Sequence, residues 1–223
     1  AAYVAMVDID PLEMEKWIVH VDLPICADAS EFMEVLLHEA EGMSLSYDAW
    51  LQRCAAWKER YPVVQERHRK ASGKVNLYAF LGAMSRNLPR NAVTIAANAS
   101  ASVAGSQAFY IKDGDRFLIN GAMGSMGYAL PASIGACLAN GKRRVFCIEG
   151  DGSIMMNVQE LQTIATNRLP IVLFVLNNEG YHQIRQTQSN VFAGHTFVGV
   201  GPASGDLGFP DFGALAAAFG LPY

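Results

Sequence analysis

Apolar runs of strand length alternate with helix-periodic segments along most of the chain. Residues 3–9 (YVAMVDI), 92–97 (AVTIAA), 144–149 (RVFCIE) and 170–176 (PIVLFVL) read as buried strands, with Leu23–Ala27 a shorter one. Predicted helices separate them. Pro11–Trp17 makes a short helical turn. Ser30–Glu39 sets Phe32, Val35 and Leu36 on one face behind a cap from Asp28 or Ser30. Residues 74–87, 124–139 and 157–168 follow, the second of these opened by glycines. The last helix starts at Pro210 and Asp211, carries Phe212, Leu215, Ala216 and Phe219 on one face, and stops at Gly220 and Pro222. Apolar strands alternating with helices imply an α/β fold, a doubly wound and mostly parallel sheet with helices on both faces.

Residues 46–70 interrupt this rhythm with the densest run of charge in the chain, as an exposed helical connector does. The expected organisation is therefore residues 1–45, a helical linker over 46–73, and a larger domain over 74–223. An apolar strand so close to residue 1, and a final helix with no strand after it, lead to the expectation of a piece cut at both ends from a longer α/β protein.

Composition narrows the functional classes. The 223 residues are 51% hydrophobic and 17% charged, enough apolar material for a core, which excludes disorder, collagen and coiled coil. A net charge of -4 builds no basic face for nucleic acid. The uncharged stretch 91–111 is too rich in Asn, Ser and Gly for a membrane span, and the first ten residues lack the basic start of a signal peptide. The four cysteines form no CxxC pair; Cys137 and Cys147 lie in apolar stretches as core residues, and a reducing cytoplasm is the expected location.

The chemistry gathers where two strands end. RVFCIE runs into Gly150-Asp151-Gly152-Ser153, and IVLFVL into Asn177-Asn178-Glu179-Gly180. In a parallel sheet both lie at carboxyl ends of strands, the edge on which α/β sheets bind ligands. Asn178 follows Asp151 by 27 residues, room for one helix and one strand, so the two strands can be neighbours. A carboxylate beside an amide oxygen suits Mg²⁺, which commonly takes one or two protein groups plus substrate phosphates. Gly150 and Gly152 leave N–H groups at a helix start for an anion, and Ser153 adds a hydroxyl. Either turn alone is ordinary turn chemistry; the pair at this spacing favours a metal–phosphate site.

The stretch GDGSIMMNVQELQTIATNRLPIVLFVLNNEGY resembles the metal–diphosphate motif of the thiamine diphosphate (ThDP) enzymes, which opens on GDG and closes on Asn-Asn. The resemblance implies Asp151, Asn178 and the main-chain carbonyl of Gly180 as Mg²⁺ ligands, with Gly150, Gly152 and Ser153 at the diphosphate. A second block, GAMGSMGYALPASIGA, is similar to the thiamine-ring segment of acetolactate synthase-like members. It implies that Met126 wedges the cofactor into a bent shape and that the Gly124 carbonyl accepts from its amino group. Asn98 and Ser100 end a strand on the same edge, where one of them reaches the diphosphate. By this resemblance, 74–223 is the diphosphate-binding domain and 1–45 the end of the central domain. The family's pyrimidine-activating glutamate belongs to an amino-terminal domain and has no counterpart in this chain, so the chain alone is expected to be inactive. The parent is expected to be a homodimer or homotetramer that acts on small 2-oxo acids, and FAD leaves no signature in this chain.

The pattern departs from the family at two points. No Trp follows residue 57, so the tryptophan contact of acetolactate synthases to the second substrate is absent. Ile184 stands where pyruvate decarboxylases carry a catalytic glutamate, and it cannot transfer protons. Residues 181–207, with Tyr181, His182, Gln183, Arg185, Gln186 and Gln188, read equally as a mobile closing lid with Arg185 on a substrate carboxylate or as a solvated surface loop. His20, His38, His68 and His195 have no ligand spacing. The expected function is the Mg²⁺/ThDP part of an acetolactate synthase-like carboligase or decarboxylase. The alternatives are another ThDP 2-oxo acid decarboxylase, or a non-catalytic phosphate- or nucleotide-binding module.

Overall fold

The computed structural model describes residues 2–44, 46–70, 72–192 and 197–223. Its contacts divide the chain into two units, Ala1–Arg60 and Tyr61–Tyr223, the division falling within the charged 46–73 stretch.

In the first unit, β1 (Ala5–Asp8) and β2 (Leu23–Cys26) pair in parallel, Ala5 opposite Leu23. Between them α1 (Pro11–Met14) opens on a proline, whose missing N–H would be unpaired there anyway, and Asp10 caps it through the Leu12 N–H. Asp28 rather than Ser30 caps α2 (Ala29–Glu39), accepting from the Ser30 N–H at 2.7 Å. α3 (Asp48–Arg60) closes the unit, with Trp50 edge-on to Trp57. Two sequence expectations fail here. The strand over 3–9 forms but none of it is fully buried, and on α2 only Phe32 is half-buried while Val35 and Leu36 face solvent. Two strands offer too little surface to cover these residues.

The second unit begins with α4 (Glu66–Arg69) and α5 (Leu77–Asn87), capped by the Asn76 side chain on the Tyr78 and Ala79 N–H groups. There follow β3 (Val93–Ala96), α6 (Ala99–Ala108), β4 (Arg116–Ile119), α7 (Ala129–Ala139), β5 (Val145–Gly150), α8 (Asp151–Ile154), α9 (Glu160–Asn167) and β6 (Ile171–Leu176). α10 (His182–Val191), a 3₁₀ turn at Pro202–Ser204 and α11 (Phe212–Ala218) complete the chain. The sheet runs β4-β3-β5-β6, all parallel. The chain leaves β3 toward β4 on one side and β5 toward β6 on the other, so right-handed crossovers place α6 and α9 on opposite faces. The switch point lies between β3 and β5, where an open α/β sheet leaves a crevice for ligand. Leu81, Ile95, Leu130, Val145, Ile148 and Ile154 are the fully buried centre of the core.

Several elements differ from the sequence reading. β6 is an edge strand, half-buried along its length rather than buried on both faces. The helix over 124–139 starts only at Ala129, because 124–128 is a glycine turn. Residues 182–191 of the expected lid are the regular helix α10, followed by the 3₁₀ turn; Gly194 and His195 lie outside the described residues. α6 and β4 escape the sequence pattern. α6 buries Ala101, Ala104, Gly105 and Ala108, residues too small to mark a helical face, and β4 is four residues between polar turns.

Candidate cofactor-binding site

Asp151 opens α8 at the end of β5 and is 2% exposed. Its Oδ1 accepts from the Gly152 N–H at 2.7 Å, and its Oδ2 from the Asn178 N–H at 3.1 Å and the Gly180 N–H at 2.9 Å. One carboxylate thus ties the GDG turn to the loop after β6, which confirms β5 and β6 as neighbours in register, Gly150 opposite Leu176. A carboxylate offers about four lone-pair positions, so three hydrogen bonds leave about one for a cation. The Asn178 side chain is exposed and makes no hydrogen bond among the described residues. The Gly180 carbonyl accepts from the His182 N–H at 2.9 Å, which leaves it a second lone pair. Carboxylate, amide and carbonyl oxygens are a hard donor set of the kind Mg²⁺ takes.

The free N–H groups expected at the GDG turn are engaged instead. Gly150 donates to Glu149 Oε1 at 3.3 Å and Gly152 to Asp151, because each glycine follows a carboxylate that folds back on it. The Ser153 hydroxyl is buried and accepts from the Gly127 N–H at 2.8 Å, so it faces the glycine turn before α7 rather than open space. Gly152 has no room for a side chain, since a Cβ there would run into the Tyr181 ring, which also lies edge-on to Phe209. Tyr181 is therefore the roof of this turn.

Sequence reasoning missed Glu149. It is 0% exposed at the end of β5, and its Oε2 accepts from the Leu130 N–H at 3.1 Å in the first turn of α7. Burial pushes its carboxyl above the usual carboxylate range, while hydrogen bonds from Ser153, Gly150, Leu130 and Ala129 pull it back down. The signal was present as a charged residue closing an otherwise apolar strand. Asn157 was missed as well: its Nδ2 donates to the Gly127 carbonyl at 2.7 Å.

Met126, between the Gly124 and Gly127 turns, is 42% exposed, so its side chain is available at the switch-point edge. Asn98 precedes α6 with no hydrogen bond from its side chain to the helix, and Ser100 is half-buried in the first turn. Ser100 and Asn178 both line an open cleft of about 1350 Å³ along β6, whose walls include neither Asp151 nor Met126. Arg185 is turned back on the loop after β6. From α10 its Nη2 donates back to the carbonyls of Glu179 at 2.9 Å and Asn178 at 3.5 Å, and its Nε is buried with no partner among the described residues. Glu179, at φ 61°, reaches Lys74 with its carboxylate at 3.2 Å.

A family model described as "Thiamine pyrophosphate enzyme, C-terminal TPP binding domain" matches residues 98–223. The chain belongs to the thiamine pyrophosphate enzymes, with residues 98–223 matching their C-terminal binding domain. Within them it is similar to acetolactate synthases. It is 31% identical over 220 residues to acetolactate synthase isozyme 1 large subunit of Escherichia coli (strain K12), an alignment that covers 99% of this chain and 37% of that protein. It is 32% identical over 225 residues to the acetolactate synthase large subunit of Pyropia yezoensis (99% and 36%) and 31% over 229 residues to the chloroplastic acetolactate synthase of Arabidopsis thaliana (99% and 33%). The chain spans roughly a third of the length of these relatives.

Proposed function

We propose that this chain is the Mg²⁺- and ThDP-binding part of a 2-oxo acid carboligase or decarboxylase of the acetolactate synthase kind. The observation that carries this reading is the Asp151 carboxylate, buried at a strand end and joined to the Asn178–Gly180 loop of the neighbouring strand. Asp151, Asn178 and the Gly180 carbonyl would hold Mg²⁺, and the metal would hold the diphosphate against Gly150, Gly152 and Ser153. For Gly152 to donate to the diphosphate, Asp151 Oδ1 must turn from its N–H to the metal. Met126 and Gly124 would take the aromatic half of the cofactor, with Asn98 or Ser100 at the far side of the switch point. Bound ThDP supplies a carbon centre that attacks 2-oxo acids and stabilises the charge left by loss of CO₂. The parent protein is a homo-oligomer in this reading. The four cysteines, none in a disulfide, fit a reducing cytoplasm, and no described helix is long and apolar enough to cross a membrane.

Calorimetry with Mg²⁺ and ThDP, against ATP or NAD under the same conditions, tests the reading. Metal-dependent binding of ThDP alone is the expected result. Equal or tighter binding of ATP or NAD overturns it in favour of a nucleotide-binding module.

A further inference from the structure

We infer that Glu149, Ser153 and Asn157 are positioning residues that clamp the backbone from Gly127 to Leu130 onto the metal turn, so that Met126 is aimed by the same segment that carries Asp151. The inference rests on the reading that ThDP binds at this edge. The three side chains recur every fourth residue through the end of β5, α8 and the turn after it, and each takes hold of the preceding block at a different atom. Glu149 Oε2 accepts the Leu130 N–H at 3.1 Å, Ser153 Oγ the Gly127 N–H at 2.8 Å, and Asn157 Nδ2 donates to the Gly127 carbonyl at 2.7 Å.

Peptide planarity makes these bonds directional. The Gly127 N–H and the Met126 carbonyl belong to one rigid trans unit and point in opposite senses. Holding the N–H on Ser153 therefore aims the Met126 carbonyl away from the metal turn. Holding the Gly127 carbonyl on Asn157 fixes the following peptide too. Gly127 sits between them at φ 77°, and a Cβ there would lie 2.7 Å from both Asn157 Nδ2 and Met156 Cβ, so the clamp closes only on glycine. Both grips on Gly127 are short and at least half-buried, whereas Met126 itself is exposed. Ser153 and Asp151 share the four-residue helix α8, so a shift of the metal ligand moves the grip on the Met126 peptide.

The test uses Ser153→Ala and Asn157→Ala in the 223-residue chain, with Ser153→Thr as the conservative control that keeps the hydroxyl. Hydrogen exchange without cofactor reads the clamp directly. Both disrupting variants should speed exchange in residues 126–130 at least tenfold and leave β5 protected, and Ser153→Thr should restore it. Unchanged exchange at Gly127 overturns the inference whatever the ligand. Calorimetry with Mg²⁺ and either ThDP or inorganic diphosphate then reads its consequence. Asn157→Ala, which removes no proposed contact to the metal or the diphosphate, should lose at least tenfold in ThDP affinity and less than twofold for inorganic diphosphate. Equal loss for both ligands, or none, overturns the positioning role. A parent chain that binds inorganic diphosphate as tightly as ThDP instead overturns the proposed function, and the exchange result still decides the clamp.

Discussion

At the scale of single residues the site depends on groups with more than one task. Asp151 accepts three backbone N–H groups and is the one carboxylate at the proposed metal position. Asp151→Ala strands buried donors, each costing roughly 1–3 kcal/mol, and removes the only full negative charge offered to the cation. The expected outcome is a fall of several degrees in melting temperature together with loss of metal-dependent ThDP binding by calorimetry. Asn178→Ala removes an exposed neutral oxygen and should weaken binding without a change in melting. If Asp151→Ala binds ThDP as well as the parent chain, the metal assignment fails. Arg185 acts on the same loop from the other side, through the Glu179 and Asn178 carbonyls. Losing a charged hydrogen bond costs about 1.4 kcal/mol or more, so Arg185→Gln should reduce metal-dependent ThDP affinity about tenfold. A role on the substrate carboxylate would instead leave ThDP affinity unchanged.

At the scale of elements, two contacts between turns can be tested separately. The Tyr181 ring fills the space that a side chain at Gly152 would need, so Gly152→Ala forces the ring out and should cost roughly 1–3 kcal/mol. Tyr181→Ala opens that space. The double variant should then be less destabilised than the sum of the single ones, and additivity in denaturant melts would show that the ring is not the obstacle. The turn from Gly199 to Asp206 is held by the Asp206 carboxylate, which accepts from the Gly199 N–H and the Ser204 hydroxyl. The Ser204 hydroxyl, then the Gly199 N–H, hold this carboxyl below its ordinary range. A depressed folded value means the contribution is present at neutral pH and is lost as pH falls through that value. Protection of the Gly199 amide, its exchange relative to an unstructured amide at the same pH, should therefore fall in acid, and Asp206→Asn should show the low protection at neutral pH. A pH-independent protection at Gly199 would assign the turn to its backbone alone.

For the whole molecule, the surface proposed to hold the aromatic half of the cofactor is open. Met123 is 81% and Met126 42% exposed, so in this chain water reaches whatever they contact. A charged 2-oxo acid would not be desolvated at the proposed site, and Glu149, the buried glutamate nearest this segment in the bonding pattern, is committed to α7. The chain incubated with Mg²⁺, ThDP and pyruvate should release CO₂ no faster than free cofactor. Turnover well above that level would require an activating acid among these residues.

What the sequence alone determined follows from local chemistry. Strands 92–97, 144–149 and 170–176 were legible because parallel strands are apolar throughout, and the GDG and Asn-Asn turns because polar residues directly after such strands stand out. Asp211 caps the last helix as its type demands. The family could be read from the same turns. Tertiary structure decided the rest, because it depends on what lies across from each residue. α6 is a helix through the close packing of small residues, which leaves no periodic signal, and β6 is an edge only because no described strand pairs with its outer side. The GDG amides looked free in sequence and are occupied, since carboxylates at Glu149 and Asp151 fold back on them. Ser153 and Asn157 looked like a ligand and a helix residue. Their partner Gly127 lies 26 and 30 residues earlier, and only the pairing of β3 with β5 and the packing of α7 beneath them bring it within a hydrogen bond.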